Sequence, residues 1–265
     1  PGSGEITEIA FRVPTEASLH FWAERFDTIG IDRDAPRERF GRQVLEFRDP
    51  EGQRLALMVD GDDAPVPAGT PWPHAGIPEE HAIIVLAAIS TSTARPHATL
   101  PVLTDVMGFR VVDEVPDPEH DDRVTIVLET GAGGPGALYY LHVMPGTPQA
   151  RLGRGGVHHV AFRTPDAATH ETWREYIGSR GMNITPEIDR FYFLAAYFRE
   201  PGGVLFELSS DTPGFKTDQS EDELGVELAL PPFLQPYKAQ ISEALHPLDT
   251  SRERTSQDAA APSAA

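Results

Sequence analysis

The chain contains no cysteine. Disulfides, thiolate nucleophiles, zinc ribbons and iron–sulfur ligation are therefore excluded, and any metal must be held by His, Asp or Glu. Positive charge is scarce as well: 22 Lys plus Arg stand against 41 Asp plus Glu in 265 residues, a net charge of −19. Such a field repels phosphate backbones and anionic membrane surfaces, so no nucleic-acid partner is expected. No apolar run approaches the roughly 18 to 20 residues needed to cross a bilayer. The start also lacks the charged, apolar, small-residue order of a signal peptide. A soluble cytoplasmic protein is expected, without a membrane partner. The first residues, Pro1-Gly2-Ser3-Gly4, include no initiating methionine and read as a linker cut in mid-run, so a preceding segment is expected. A hydrophobic content of 40% suffices for one large domain or two small ones.

An internal repeat organises the chain. Residues 6–14, ITEIAFRVP, match residues 157–165, VHHVAFRTP, at an offset of 151 that sets Glu8 against His159. Without a gap, the same offset sets Trp22 against Trp173, Gly30 against Gly181, Arg39 against Arg190, Phe47 against Phe198 and Gly52 against Gly203. Each copy opens with an alternating apolar run, 5–13 and 156–164, that reads as a half-buried strand. A helical pattern follows at 16–28 and 166–180, then a short meander whose last hairpin turns at Asp49-Pro50-Glu51-Gly52 and Glu200-Pro201-Gly202-Gly203. Residues 82–145 repeat the order more faintly, with a strand at 82–89, a helix around 97–107 and strands at 123–129 and 137–144.

Because the outer copies align without gaps, each is a control for the other. Where the first has Glu8 and Ala56, the last has His159 and Glu207, at the same separation of 48 residues. Strand alternation puts Val157, His159 and Ala161 on one face, with His158 behind the sheet or at its edge. Glu207 points away from the apolar row Val204, Phe206 and Leu208, and a carboxylate so flanked needs a cation or a metal. The pair reads either as two ligands of a mononuclear metal site or as a hydrogen-bonded structural pair. Tyr197, opposite Glu46, changes type together with the ligands, whereas Arg190 has Arg39 opposite and reads equally as an anchor of the meander. The remaining histidines show no short metal spacing and read as solvated. His142 is an exception, standing in a strand near the position equivalent to Glu207, with Ala87 where an opening histidine would be; it reads as structural.

GGVHHVAFRTPD at 155–166 and DRFYFLAAYFREPGGVLFELSSDTPGF at 189–215, with GEITEIAFRVP at 4–14 and LPPFLQP at 230–236, resemble the vicinal oxygen chelate (glyoxalase/bleomycin resistance/extradiol dioxygenase) superfamily. Within it they are most similar to ring-cleaving dioxygenases of hydroquinones. The resemblance implies an α+β fold of repeated βαβββ modules forming cup-shaped, incompletely closed antiparallel barrels. It divides the chain into a module without metal ligands at 1–62, a degenerate module at 79–146 and a metal-binding module at 152–212. A covering segment with a helix near 236–245 follows at 213–246, then a disordered tail at 247–265. It further implies iron(II), with manganese or another divalent metal as the alternative, held by His159, Glu207 and a histidine from a module upstream of this chain. Such a face leaves open positions for an aromatic diol and dioxygen. Tyr197 is implied to move a proton at the substrate hydroxyl, Arg190 to stabilise negative charge on oxygen, and His158 to act from behind the ligands. A homo-oligomer fits this picture. The alternatives are a glyoxalase-like non-oxidative metalloenzyme and a metal-free aromatic-binding module.

Overall fold

The alternating apolar run at the start of the chain forms β1 (Ile6–Val13), with Ile6, Glu8, Ala10 and Arg12 buried and the residues between them half-buried up to Val13. The computed structural model describes residues 2–61, 64–67, 69–71, 76–153 and 155–246; the tail expected at 247–265 and parts of the linker at 61–80 lie outside them. Leu19, Ala23 and Phe26 recur at helical spacing and form the buried face of α1 (Glu16–Ile29). Gly30 ends the helix in the left-handed conformation, φ 72°, which a side chain would disfavour. The meander β2 (Arg37–Arg39), β3 (Arg42–Arg48) and β4 (Arg54–Val59) then returns the chain so that β4 pairs parallel with β1. Residues far apart in sequence thereby become neighbours, Ala10 opposite Ala56.

The middle copy has the same order: β5 (Leu86–Thr93), α2 (Pro96–Pro101) running into a wider turn at Val102–Val106, β6 (Arg110–Pro116), β7 (Val124–Glu129) and β8 (Leu138–Val143). Its first strand begins at Leu86 and not at residue 82, because Ile84 and Val85 bond to the backbone of Arg12 beyond the strand ladder. β1 and β5 pair antiparallel, giving an eight-stranded sheet in the order β2-β3-β4-β1-β5-β8-β7-β6. The last copy, β9 (Val160–Thr164), α3 (Ala167–Ser179), β10 (Ile188–Asp189), β11 (Phe193–Arg199) and β12 (Leu205–Pro213), forms a separate four-stranded sheet, β10-β11-β12-β9. α3 is capped by Asp166, whose side chain accepts from the Thr169 amide at 2.7 Å. A short helix, α4 (Lys238–Ala244), stands near the chain end as expected.

The two sheets meet back to back. Leu103, Val106, Tyr139 and Leu141 of the middle copy pack with Phe198, Phe206, Leu208 and Ile177 of the last in one apolar cluster. Each such side chain contributes about 1.5–3 kcal/mol on burial. Tyr139 meets Phe206 edge-on at 6.4 Å, and Phe109 meets Phe162 at 6.1 Å.

The opposite face of the eight-stranded sheet is a closed cup. Inside it Arg12 is fully buried and bonded through Nε and Nη2 to both oxygens of Asp60, 2.7 Å each. Arg39 bonds both oxygens of the buried Glu8, at 2.8 and 2.5 Å, and reaches Glu46 at 2.6 Å. Burial opposes the guanidinium charge, but Glu8 more than restores it and raises the Arg39 pKa above its ordinary value. His142 also lies here, its Nδ1 2.8 Å from Thr125 Oγ1. Burial pushes its pKa down to about 4 against the pull of Glu8, and Arg39 adds to the lowering.

His142 does not occupy the position equivalent to Glu207. The amide of Asp60 bonds to the Val13 carbonyl and that of Met144 to the Thr93 carbonyl, which fixes the correspondence of the first two copies. Ser90 then matches Ala10 and, through the ladder, Tyr140 matches Ala56; Ala88, not Ala87, takes the place of Glu8. His170 likewise departs from the solvated reading: it is fully buried on α3, 3.4 Å from Glu187.

Two outcomes are expected. Arg39→Met, which leaves Glu8 buried without its cation, lowers stability by about 3–5 kcal/mol in urea unfolding, and Glu8→Gln in the same chain restores much of it. The unfolded chain protonates His142 near 6.5 and the folded one only near 4. Stability is therefore lost as pH falls from about 6.5 towards 4, and His142→Gln flattens that part of the unfolding-versus-pH curve.

Candidate metal centre

In the last copy the parallel pairing of β12 with β9 places Glu207 opposite Ala161, and the antiparallel pairing with β11 places it opposite Tyr197. Paired residues share a face, so Glu207 and Tyr197 project from the cup side while Phe206, Leu208 and Phe198 enter the core behind. His159 lies just before the ladder of β9, and its Nε2 is 2.7 Å from Glu207 Oε2. The carboxylate is 3% exposed, and its other oxygen, Oε1, is buried without a hydrogen-bond partner. A buried oxygen left in this state is costly unless a cation is bound there. Ligand atoms on adjacent corners of an octahedron with bonds of about 2.1 Å lie about 3 Å apart, so the pair fits two corners after opening by a few tenths of an ångström.

His158 is not behind the sheet. Its Nδ1 is 2.9 Å from Nδ1 of His159, with the two rings edge to face. Alternation fails because β9 begins at Val160, and Val157, expected on the cup side, packs with Val160 and Phe162 against the core. With a cation on His159 Nε2, the ring proton would sit on Nδ1 and be donated to His158 Nδ1, which would fix the tautomer.

Tyr197 stands edge-on to the His159 ring at 5.7 Å, and the Arg190 guanidinium lies 5.8 Å from the Tyr197 ring centre. Burial raises the Tyr197 pKa, the Glu207 carboxylate raises it further, and Arg190 opposes both. The five residues His158, His159, Arg190, Tyr197 and Glu207 are thus gathered at one end of one half-cup. Among the described residues no group of three His, Cys, Asp or Glu converges to hold a metal.

The equivalent face of the first copy is covered by Tyr140 of the middle copy, against Phe40, and by the linker, whose Val66 and Pro67 carbonyls accept from Arg12, whereas here Arg163 is exposed. The Arg12–Asp60 pair has its counterpart in Arg163–Asp211 at the same separation of 48 residues. Arg12 is 1% exposed in its side chain and Arg163 76%. The outer edge of β9, matching the β1 edge on which β5 lies, carries no strand among the described residues.

Residues 85–208 match the model of the Glyoxalase/Bleomycin resistance protein/Dioxygenase superfamily. The provisionally named ring-cleaving dioxygenase MhqA of Bacillus subtilis (strain 168) is 38% identical over 247 residues, 93% of this chain and 77% of that protein. The chain belongs to this superfamily. Another relative, the chlorohydroquinone/hydroquinone 1,2-dioxygenase of Sphingobium indicum, is 26% identical over 92% of this chain and 74% of its own length. The crystal structure of a provisionally named dioxygenase from Bacillus subtilis superposes with a TM-score of 0.81 at 30% identity, covering 95% of this chain and 76% of that one. The cup-shaped half-barrels described above are the superfamily fold. No helix among the described residues is long and apolar enough to cross a membrane.

Removing either donor tests whether the half-cup holds a metal. His159→Ala and Glu207→Ala are each expected to lower metal bound per chain at least tenfold in elemental analysis, with near-ultraviolet circular dichroism unchanged.

Proposed function

We propose that the protein is an iron(II)-dependent dioxygenase that cleaves the ring of a hydroquinone or catechol-like aromatic. The observation that carries this reading is the buried, half-satisfied carboxylate of Glu207 beside His159 Nε2 in a fold shared with relatives named ring-cleaving dioxygenases. His159 and Glu207 would hold the metal, and a strand laid antiparallel on the β9 edge, as β5 lies on β1, would bring the third ligand. When bound, iron in such a face supplies open positions for a ring hydroxyl and for dioxygen.

The chain's own residues then have distinct tasks. His158 fixes the His159 tautomer through their shared hydrogen bond. Tyr197, whose pKa is raised by burial, keeps its proton at neutral pH and donates a hydrogen bond to a ring oxygen of the substrate. Arg190 supplies a positive charge beside Tyr197 for an oxyanion on the ring. The apolar core behind Glu207 keeps water from the carboxylate on that side.

Full-length protein loaded anaerobically with iron(II) is expected to consume oxygen with substituted hydroquinones or catechols; no uptake with any of them would overturn the reading. Tyr197→Phe is expected to lower kcat by roughly 10²–10⁴ with the iron content unchanged.

A further inference from the structure

The eight-stranded cup contains an internal picture of how a phenol can dock in such a cup. Tyr140 enters it from β8 at the position that matches Glu207, and it is 1% exposed. Its ring lies 4.9 Å from that of Phe40, and the Arg39 guanidinium lies 5.6 Å from the Phe40 ring and 5.8 Å from the Tyr140 ring. A phenol supplied by the neighbouring module is thus held by an Arg–Phe pair at the β2–β3 hairpin.

The same pair recurs in the last copy as Arg190 and Phe191, at the offset of 151 that relates the two modules. The backbone recurs as well. Phe40 has φ 52° and Phe191 φ 71°, the two non-glycine residues with positive φ among the described residues. A bulky residue rarely adopts this conformation, and a glycine would remove its strain. Its retention in both hairpins ties the ring, not the turn, to the position. In the last copy the ring contact recorded for Phe191 is its chain neighbour Tyr192, at 4.9 Å, and among the described residues no tyrosine from another module fills the cup. The ion pairs differ in the same direction: Arg39 is held by Glu8 and Glu46, whose counterparts are His159 and Tyr197, so among the described residues no carboxylate pairs with Arg190.

We propose that Phe191 is a positioning residue for the substrate, forming with Arg190 a clamp for its aromatic ring in the place that Tyr140 fills in the other cup. This rests on the reading of the last cup as a site for aromatic diols. A non-aromatic diol of the same size gains little from such a clamp.

The test is anaerobic calorimetric titration of the full-length, iron-loaded protein with hydroquinone, beside steady-state oxygen uptake and iron analysis. Phe191→Leu is expected to weaken hydroquinone binding about tenfold, since an aromatic pair is worth roughly 0.5–1.5 kcal/mol and 1.4 kcal/mol is tenfold. KM should rise in proportion while kcat stays within about twofold and the iron content is unchanged. Phe191→Tyr should bind as the parent does, and Phe40→Leu, which removes the equivalent ring from the other cup, should leave the affinity unaltered. Unchanged affinity in Phe191→Leu, loss of iron in it, equal weakening in Phe40→Leu, or a parent protein that binds no hydroquinone would each overturn the clamp. Binding by the parent that depends on Phe191 but leads to no oxygen uptake would uphold the clamp and overturn ring cleavage. Turnover by the parent that Phe191→Leu leaves untouched would do the reverse.

Discussion

Parallel pairing between the first and last strands of each module is the constraint on which the remaining structure depends. Parallel strands cannot be joined by a tight turn, so the chain must travel through a helix and a meander before it returns. That path brings residues about 48 apart into lateral contact: Arg12 with Asp60, Arg163 with Asp211, and His159 with Glu207. A first-strand histidine and a last-strand carboxylate can therefore meet without any local motif. The same path leaves one edge of the first strand free for a neighbouring module, and β5 uses that edge on β1.

The two cups solve one electrostatic problem in different ways. Charged groups placed on the concave face are screened from water by whatever closes the cup, and they must then be compensated. In the first module Arg39 does this internally for Glu8 and Glu46, and Tyr140 fills the space at the position where the last module has its carboxylate. In the last module both acidic partners of the arginine are replaced, by His159 and Tyr197, and a new acid appears at 207. The carboxylate's recorded partner is His159 and not an arginine, and its other oxygen is left unpartnered. A fixed scaffold with three exchanged residues thus turns an arginine–carboxylate ion pair into a His–Glu pair, which on the proposed reading supplies two metal ligands.

Much of this could be read from the sequence, because the outer copies align without gaps and type changes at 8/159, 46/197 and 56/207 stand out against matched neighbours. The helices expected at 16–28 and 166–180 from apolar spacing stand at Glu16–Ile29 and Ala167–Ser179. What was misread depended on pairing. Alternation was applied to His158 and His159 as if β9 began at 156, yet a strand keeps its alternation only where a ladder holds it, and the ladder begins at Val160. His142 stands near the position of Glu207, as expected, but two residues beyond it, because the middle copy differs in length from the others. Only the backbone bonds of Asp60 and Met144 reveal Tyr140 as the counterpart. The burial of His170 is legible in the repeat, since the offset of 151 sets it against Leu19 on the buried face of α1.

Phe40 and Phe191 show why identity between copies also carries information. Matched residues in a repeat are ordinarily those that fold the module, and Arg39 and Arg190 could be dismissed on that ground. A matched phenylalanine in a left-handed backbone is different, because folding alone would favour glycine there; the strain costs about 1–3 kcal/mol at each hairpin. In the first cup the Phe40 ring packs, tilted by 46°, against that of Tyr140, and that contact opposes the cost. In the last cup the ring beside Phe191 is that of its own neighbour Tyr192, and on the proposed reading a substrate ring takes the place that Tyr140 has in the first.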